Sequence, residues 1–252
     1  MEAVKCYMVN SRGRRPEKVQ TRPRLPQAAV HCPPLTDGNQ LGWMVYPNTG
    51  SRWEVERQPE LMQIAHKTGG KADFDLDFVL QAFEDGSRVM QLAPTAGSTV
   101  GPAQYQRAEG AASEVFHDIQ NPSGAITLLS NCWFVTPEGW DSVWMGVTNQ
   151  FDPPTPHAYT VRVQTDWYTG SAAVEVRYQL RIGERLRVDG QSPIGMVVFV
   201  PRHEPLVEFL PYDGGLNAER ERQVAEKYQA EHVRTRHQMS PYSVWYLGEK
   251  RS

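Results

Sequence analysis

The side chains of this chain that could do chemistry are concentrated between residues 131 and 168. Four of the seven tryptophans fall there (Trp133, Trp140, Trp144 and Trp167), with His157, Tyr159, Arg162 and Asp166 close by in sequence. Large amphipathic rings on neighbouring strands either fill a bulky core or line a cavity for a flat molecule. In the second case His157 and Asp166, near the rim, are the candidate catalytic acid and base, and Arg162 is a clamp for an anionic group. Trp43, Trp133, Trp144, Tyr159, Arg162 and Trp167 are then the candidate substrate-binding residues. The competing reading is that tryptophan is highly buried on average and a core needs no ligand.

Other chemistries find less support. A histidine-carboxylate metal site on a jelly roll begins with His-x-His or His-x-Asp/Glu on one strand, and none of the seven histidines makes that pair. His203 is followed directly by Glu204. His232 and His237 are five apart on a predicted helix, which sets them about 140° apart around it. The metal alternative is an iron-dependent oxygenase with scattered ligands such as His31, His157 and His203. Asp73, Asp75 and Asp77 alternate with apolar residues, so they share one strand face that is either wet or attractive to a cation. An EF-hand is excluded, because the glycine its sixth position requires is Phe78.

There is no G-x-S-x-G elbow and no cysteine-protease signature. Cys132 lies in an apolar run, where a buried thiol is the usual outcome. Cys32 adjoins His31, but neighbours on an extended segment point apart. Walker-A and Rossmann glycine patterns are missing, so the expected cofactor is none. Cys6, Cys32 and Cys132 have no C-x-x-C spacing and give neither a disulfide framework nor a zinc knuckle.

Net charge of −3 argues against a whole-domain nucleic-acid binder. A basic arm over residues 12–24 (Arg12, Arg14, Arg15, Lys18, Arg22 and Arg24 against Glu17) is either a solvated loop or a contact for an anionic partner. No apolar run approaches the roughly 20 residues that cross a bilayer, and the N-terminus lacks a secretory layout. A cytoplasmic protein with no membrane partner and a small-molecule substrate is expected.

Strand signals dominate the elements that must position these groups. Val174, Val176, Tyr178, Leu180 and Ile182 alternate with Glu175, Arg177, Gln179 and Arg181, the signature of a strand with one buried face. Tyr159, Val161, Val163, Thr165 and Trp167 alternate likewise, and Thr169-Gly170-Ser171 between the two runs predicts an antiparallel hairpin over 159–182. Further strands are predicted over 2–9, 41–46, 52–56, 74–83, 87–92 and 126–135. Two more follow: a short strand with Val143, Met145 and Val147 on one face and Trp144 on the other, and 194–200 as a strand buried on both faces. Glu84-Asp85-Gly86 predicts a turn. Helices are predicted over 103–119 and over 218–238, the latter capped by Asn217. Together these predict a mostly β protein, an antiparallel β-sandwich or jelly roll, cupin-like included. One or two peripheral helices go with it, in a single domain over 1–252 with 216–238 as a surface helix.

Residues 31–47, HCPPLTDGNQLGWMVYP, carry a cysteine-proline-leucine element, an asparagine and a Gly-Trp pair. Together with Phe134-Val135-Thr136-Pro137-Glu138-Gly139, Thr165-Asp166-Trp167 and Val200-Pro201-Arg202, this resembles an uncharacterised bacterial domain-of-unknown-function family, number 6065. The resemblance runs through short motifs over residues 1–211 and departs from the family at 168–190, where the alternation is unusually polar. It implies a continuous β-rich cytosolic domain and brings no catalytic residue or cofactor. The expected function is therefore small-molecule binding by a cofactor-independent tailoring enzyme, a cyclase or isomerase of bacterial secondary metabolism. The alternatives are the iron oxygenase and a non-enzymatic interaction module using the arm 12–24.

Overall fold

A computed structural model describes residues 2–10, 13–18, 38, 40–68, 76–93, 100–117, 124–148, 156–168 and 175–235. The chain divides into two compact units, one of residues 1–24 and 39–203, the other of residues 25–38 and 204–252.

All the described strands lie in the first unit. In chain order they are β1 (Lys5–Met8), β2 (Glu17–Lys18), β3 (Trp43–Val45), β4 (Arg52–Arg57), β5 (Leu61–Lys67), β6 (Asp77–Phe83) and β7 (Arg88–Ala93). Helix α1 (Pro102–Ser113) follows, then β8 (Phe116–His117), β9 (Ala125–Leu129), β10 (Cys132–Val135), β11 (Trp140–Met145) and β12 (His157–Ala158). The last strands are β13 (Val161–Val163), β14 (Glu175–Gln179), β15 (Arg185–Asp189) and β16 (Gly195–Pro201). They form four antiparallel sheets, ordered β15-β4-β5-β6-β7, β12-β14-β9-β8, β13-β11-β16-β3-β2 and β1-β10. The mostly β, antiparallel architecture expected from the sequence is what is observed.

Period-two patterning builds the first of these sheets. Trp53 and Val55 on β4, Met62 and Ile64 on β5, Phe78 and Leu80 on β6, and Leu186 and Val188 on β15 are all buried. Charged and polar residues such as Glu54, Glu56 and Gln63 alternate with them on the other face. The buried face joins Phe116, Ile126, Leu128, Val176 and Tyr178 of the β12-β14-β9-β8 sheet in one core, so the two sheets pack as a sandwich. Trp53 sits at its centre, edge-on to Phe78 at 5.5 Å and to Phe116 at 5.3 Å. The predicted turn at Glu84-Asp85-Gly86 links β6 to β7, with the Gly86 amide donating to the Phe83 carbonyl.

Several sequence expectations need correction. The hairpin predicted over 159–182 does not form: β13 pairs with β11, whereas β14 pairs with β9 and β12. The cause is a strand that changes sheets. His157 and Ala158 pair with β14, the Tyr159 amide makes a further bond to the Arg177 carbonyl, and from Val161 the chain pairs with β11. The run 126–135 is likewise two strands, β9 and β10, in different sheets, broken at Ser130–Asn131. The helix predicted over 103–119 ends at Ser113, because bulky Phe116 is buried as a partner of Leu128 on β9. On β16 the stretch Gly195–Val197 is buried on both faces, while Val198–Val200 are only partly covered.

The second unit contributes helix α2 (Gly214–Thr235). Its start lies earlier than predicted: Asp213, not Asn217, accepts hydrogen bonds from the amides of Gly215 and Leu216 at 2.9 and 3.2 Å, the capping role of a carboxylate at a helix N-terminus. No helix among the described residues is long and apolar enough to cross a membrane. The predicted turn at 169–171, Val174, Asp73, Asp75, His31, Cys32, Arg12, Arg22, Arg24 and His237 lie outside the described residues, as does the side chain of His232.

Candidate functional site

Strands β1, β3, β10 and β16 surround a cleft of about 660 Å³. Its geometry follows from the antiparallel register of β1 on β10, in which Cys6 lies opposite Phe134, Tyr7 opposite Trp133 and Met8 opposite Cys132. Side chains alternate across a strand, so Val4, Cys6 and Met8 turn with Phe134 into the cleft. Tyr7 stacks on Trp133 on the opposite face, with ring centroids 4.4 Å apart. Phe199 of β16 packs edge-on against Phe134 at 5.1 Å and continues the wall. Trp43 of β3 closes the far side. It can do so because Gly42 precedes it: a β-carbon there would come within 2.7 Å of the Val197 carbonyl oxygen, so only glycine lets β3 approach β16 this closely.

The cleft is apolar except at its mouth, where Arg15 and Cys6 sit. Arg15 is exposed and makes no ion pair with any described residue. Its described neighbours in the basic arm, Arg14 and Lys18, are committed elsewhere. Arg14 pairs with Glu17 at 2.6 Å and lies 4.2 Å over the Tyr46 ring, and Lys18 lies 5.8 Å over the Trp43 ring. Cys6 is held below the usual thiol range by hydrogen bonding with the neighbouring Cys132 thiol and, to a smaller extent, by Arg15, against the opposing effect of burial.

The residues singled out from the sequence are dispersed. Trp43 alone among them lines this cleft. Trp144 is buried in the core at 1 % exposure and donates from Nε1 to the Ser142 hydroxyl at 2.9 Å. Trp133 is stacked on Tyr7, and Trp167 is 66 % exposed with its indole N–H bonded to Gln164. His157 is exposed on β12 with its ring 6.0 Å from that of Tyr159, whose hydroxyl donates to Gln179. Among the described residues no hydrogen bond or ring contact joins His157 to Asp166.

Asp166 and Arg162 belong instead to a partly buried clasp, centred on buried Asp141, that gathers three of the sequence motifs. Asp141 accepts from Arg162 Nε at 2.8 Å and from Arg202 Nε at 3.0 Å. Arg202 also pairs with Asp166, which accepts from the Gly139 amide at 3.1 Å, and the Arg202 amide donates to the Gly139 carbonyl. Gly139 holds a φ of 77°, a conformation that favours glycine. Beside it the Thr136 and Thr165 hydroxyls lie 3.1 Å apart. The Pro137-Glu138-Gly139 turn, Thr165-Asp166 and Pro201-Arg202 thus meet in space. Their polar groups satisfy one another, which suits a structural lock better than a reaction centre.

The Arg202 guanidinium, with the Gly139 amide, holds the Asp166 carboxyl below the usual carboxylate range, against a smaller effect of burial. A carboxylate with a lowered folded-state pKa stabilises fully above its ordinary pKa, near 4, and that contribution is lost as pH falls through the folded value. The stability gap between the parent protein and Asp166→Asn should therefore be constant from about pH 5 upward and close only below about pH 4. Urea midpoints between pH 3 and 7 measure it, and a gap that closed near pH 6 would point to a histidine instead.

A second cavity, of about 630 Å³, lies between β9, β14 and β15. Its polar groups are already engaged: Tyr178 donates to the Ile194 carbonyl, and Asp189 accepts from the Gln191 and Ser192 amides. Among the described residues no three histidine, cysteine or acidic side chains are placed to hold a metal ion. Asp77, the described member of the aspartate triplet, accepts from the amide and hydroxyl of Thr68.

No family model and no curated protein matches this chain. Among solved structures it is similar to a point mutant of the dUTPase of phage phi11 of S. aureus, described with a structural Mg(II) ion. That match has 7% identity and a TM-score of 0.39 over 84% of this chain and 98% of that one. It is also similar to a point mutant of the dUTPase of Staphylococcus bacteriophage 80alpha with dUpNHpp. There the identity is 8% and the TM-score 0.36, over 85% of this chain and 91% of that one. With TM-scores below 0.5, these likenesses carry no argument about this protein.

Cys6, Phe134 and Phe199 were not selected from the sequence, and Arg15 was singled out only as part of the basic arm. The alternation Val4-Cys6-Met8 is a signal that could have found the first of them. Nothing in the sequence places β1 beside β10, some 126 residues further on.

Proposed function

We propose that this protein binds a small, flat, largely apolar anion in the cleft between β1, β3, β10 and β16. The observation that carries the reading is that Arg15, which makes no ion pair with any described residue, lines an aromatic-walled cleft of about 660 Å³. Ligand pockets of this kind are mostly apolar, of roughly 300–1,000 Å³, with a few polar groups that fix orientation. Trp43 and Phe199 supply flat surfaces, and Arg15 offers the planar fork that matches a carboxylate. A tailoring reaction of the cyclase or isomerase type needs one positioned proton carrier. Cys6, in the wall of the cleft and acidified by its neighbours, is placed to be that group for a cofactor-independent step. A cytoplasmic setting agrees with Cys6 and Cys132 both being free thiols.

Calorimetric titration with 2-naphthoate and with its neutral alcohol, 2-naphthalenemethanol, tests the reading. The carboxylate should bind about tenfold more tightly, the equivalent of one charge-assisted hydrogen bond. Arg15→Ala should abolish the preference, and Trp43→Ala should weaken both ligands. If neither compound binds, or if Arg15→Ala keeps the preference, the cleft is not this site.

A further inference from the structure

We propose that Cys6 and Cys132 form a peroxide-reactive dithiol that closes to a disulfide between β1 and β10. The proposal needs no ligand in the cleft and stands apart from the binding reading. Its basis is placement. In the β1–β10 register Met8 faces Cys132 and Cys6 faces Phe134, so the two cysteines are diagonal neighbours on one face of an antiparallel pair. They also have opposite access: Cys6 is exposed at the mouth of the cleft, while Cys132 is buried at 1 % exposure. A small oxidant reaches the first and not the second. β1 pairs with β10 alone in its sheet, so an edge strand, and not a braced one, has to adjust to bring the sulfurs to bonding distance.

The electronic setting assigns the roles. The thiolate is the form that attacks peroxide, and the hydrogen bonding and the Arg15 charge described above favour that form at Cys6. Cys132 is held well above the usual thiol range, first by its hydrogen bond to Cys6, then by burial and by the Cys6 charge. Oxidation of Cys6 removes the charge responsible for two of those effects and so frees Cys132 to act.

The chemistry balances in two steps. The Cys6 thiolate attacks one oxygen of hydrogen peroxide, the O–O bond breaks, and hydroxide leaves to give Cys6 sulfenic acid. Cys132 then gives up its proton, its sulfur attacks the sulfenic sulfur, and the S–O bond breaks as water departs. Two thiols lose two electrons in all, and peroxide is reduced to two waters. The product fastens the N-terminal strand covalently to β10 and withdraws Cys6 from the cleft wall.

The experiment uses the full chain carrying Cys32→Ser, so that one intramolecular disulfide is possible. After hydrogen peroxide treatment, the intact mass should fall by about 2 Da with loss of both thiols, and dithiothreitol should restore both. In Cys132→Ser, and in Cys132→Ala should the serine variant fail to fold, Cys6 should instead stop at a sulfenic acid that dimedone captures. Cys6→Ser should lose its remaining thiol at least tenfold more slowly than the parent. Oxygen addition without a bridge, a disulfide between two chains, or equal thiol loss in Cys6→Ser would overturn the proposal.

Discussion

Replacing Trp53 by alanine is expected to destabilise the protein by about 3–5 kcal/mol, the range for deleting a large buried ring. Trp53 is 3 % exposed, and its ring meets those of His66, Phe78 and Phe116 at 4.6–5.5 Å. It therefore ties β4 to β5 and β6 and across to β8. Those neighbours lie on paired strands and cannot collapse into the void, so the cavity contribution adds to the lost transfer energy. Its indole N–H also donates to the Thr49 hydroxyl at 3.2 Å. Trp53→Phe keeps an aromatic ring but loses that bond, and should cost about 1–2 kcal/mol. Trp167→Ala, at an exposed site, should stay within about 0.5 kcal/mol. Urea denaturation of the three variants decides the matter, and a Trp53→Ala loss below about 1 kcal/mol would mean that the core is not centred there.

Asp141→Ala should have the next largest effect, about 2–4 kcal/mol. Its carboxylate is almost wholly buried and accepts from two guanidinium groups, so its removal deletes two charge-assisted hydrogen bonds at once. Arg162 and Arg202 retain 37 % and 28 % side-chain exposure, so water can rehydrate them and the loss should not reach the upper extreme for buried ion pairs. Asp141→Asn keeps oxygen for one bond and should lose about half as much. A double-mutant cycle with Arg162→Met isolates the pair. Additive losses would show that Asp141 and Arg162 are not energetically coupled, leaving Arg202 as the partner that matters.

Strand identity was legible because alternation survives wherever one face of a sheet is wet. Val176, Tyr178 and Leu180 face the core as read, and Trp53 and Val55 follow the same rule. Strand partners were not legible. A run such as 126–135 has the same periodicity whether it stays in one sheet or turns a corner at Ser130–Asn131 and joins another. On β11 the two faces were read correctly but not which of them is buried: Trp144 is the residue in the core, with Val143 and Met145 on the other face only partly covered. The larger ring gains more from burial than the valine does. For the site, aromatic content pointed to Trp43, but Cys6 and Arg15 near the N-terminus and Phe199 on β16 come from two distant stretches that only the β1–β10 and β16–β3 pairings unite. Asp166 and Arg162 looked available because charge shows in a sequence and its partner does not.

The Asp141–Arg202 bond spans 61 positions, and the Arg202–Asp166 bond spans 36. Contacts of such separation require β11, β13 and β16 to be aligned before any reward is collected, since loop-closure entropy precedes the bonding energy. We expect the clasp to close late on the folding path, after the barrier that limits folding, which a chevron of Asp141→Ala tests. Mutations at Asp141 will leave the refolding rate nearly unchanged and accelerate unfolding. What these ionic groups regulate is persistence: how long the native sheet arrangement lasts once it has been reached.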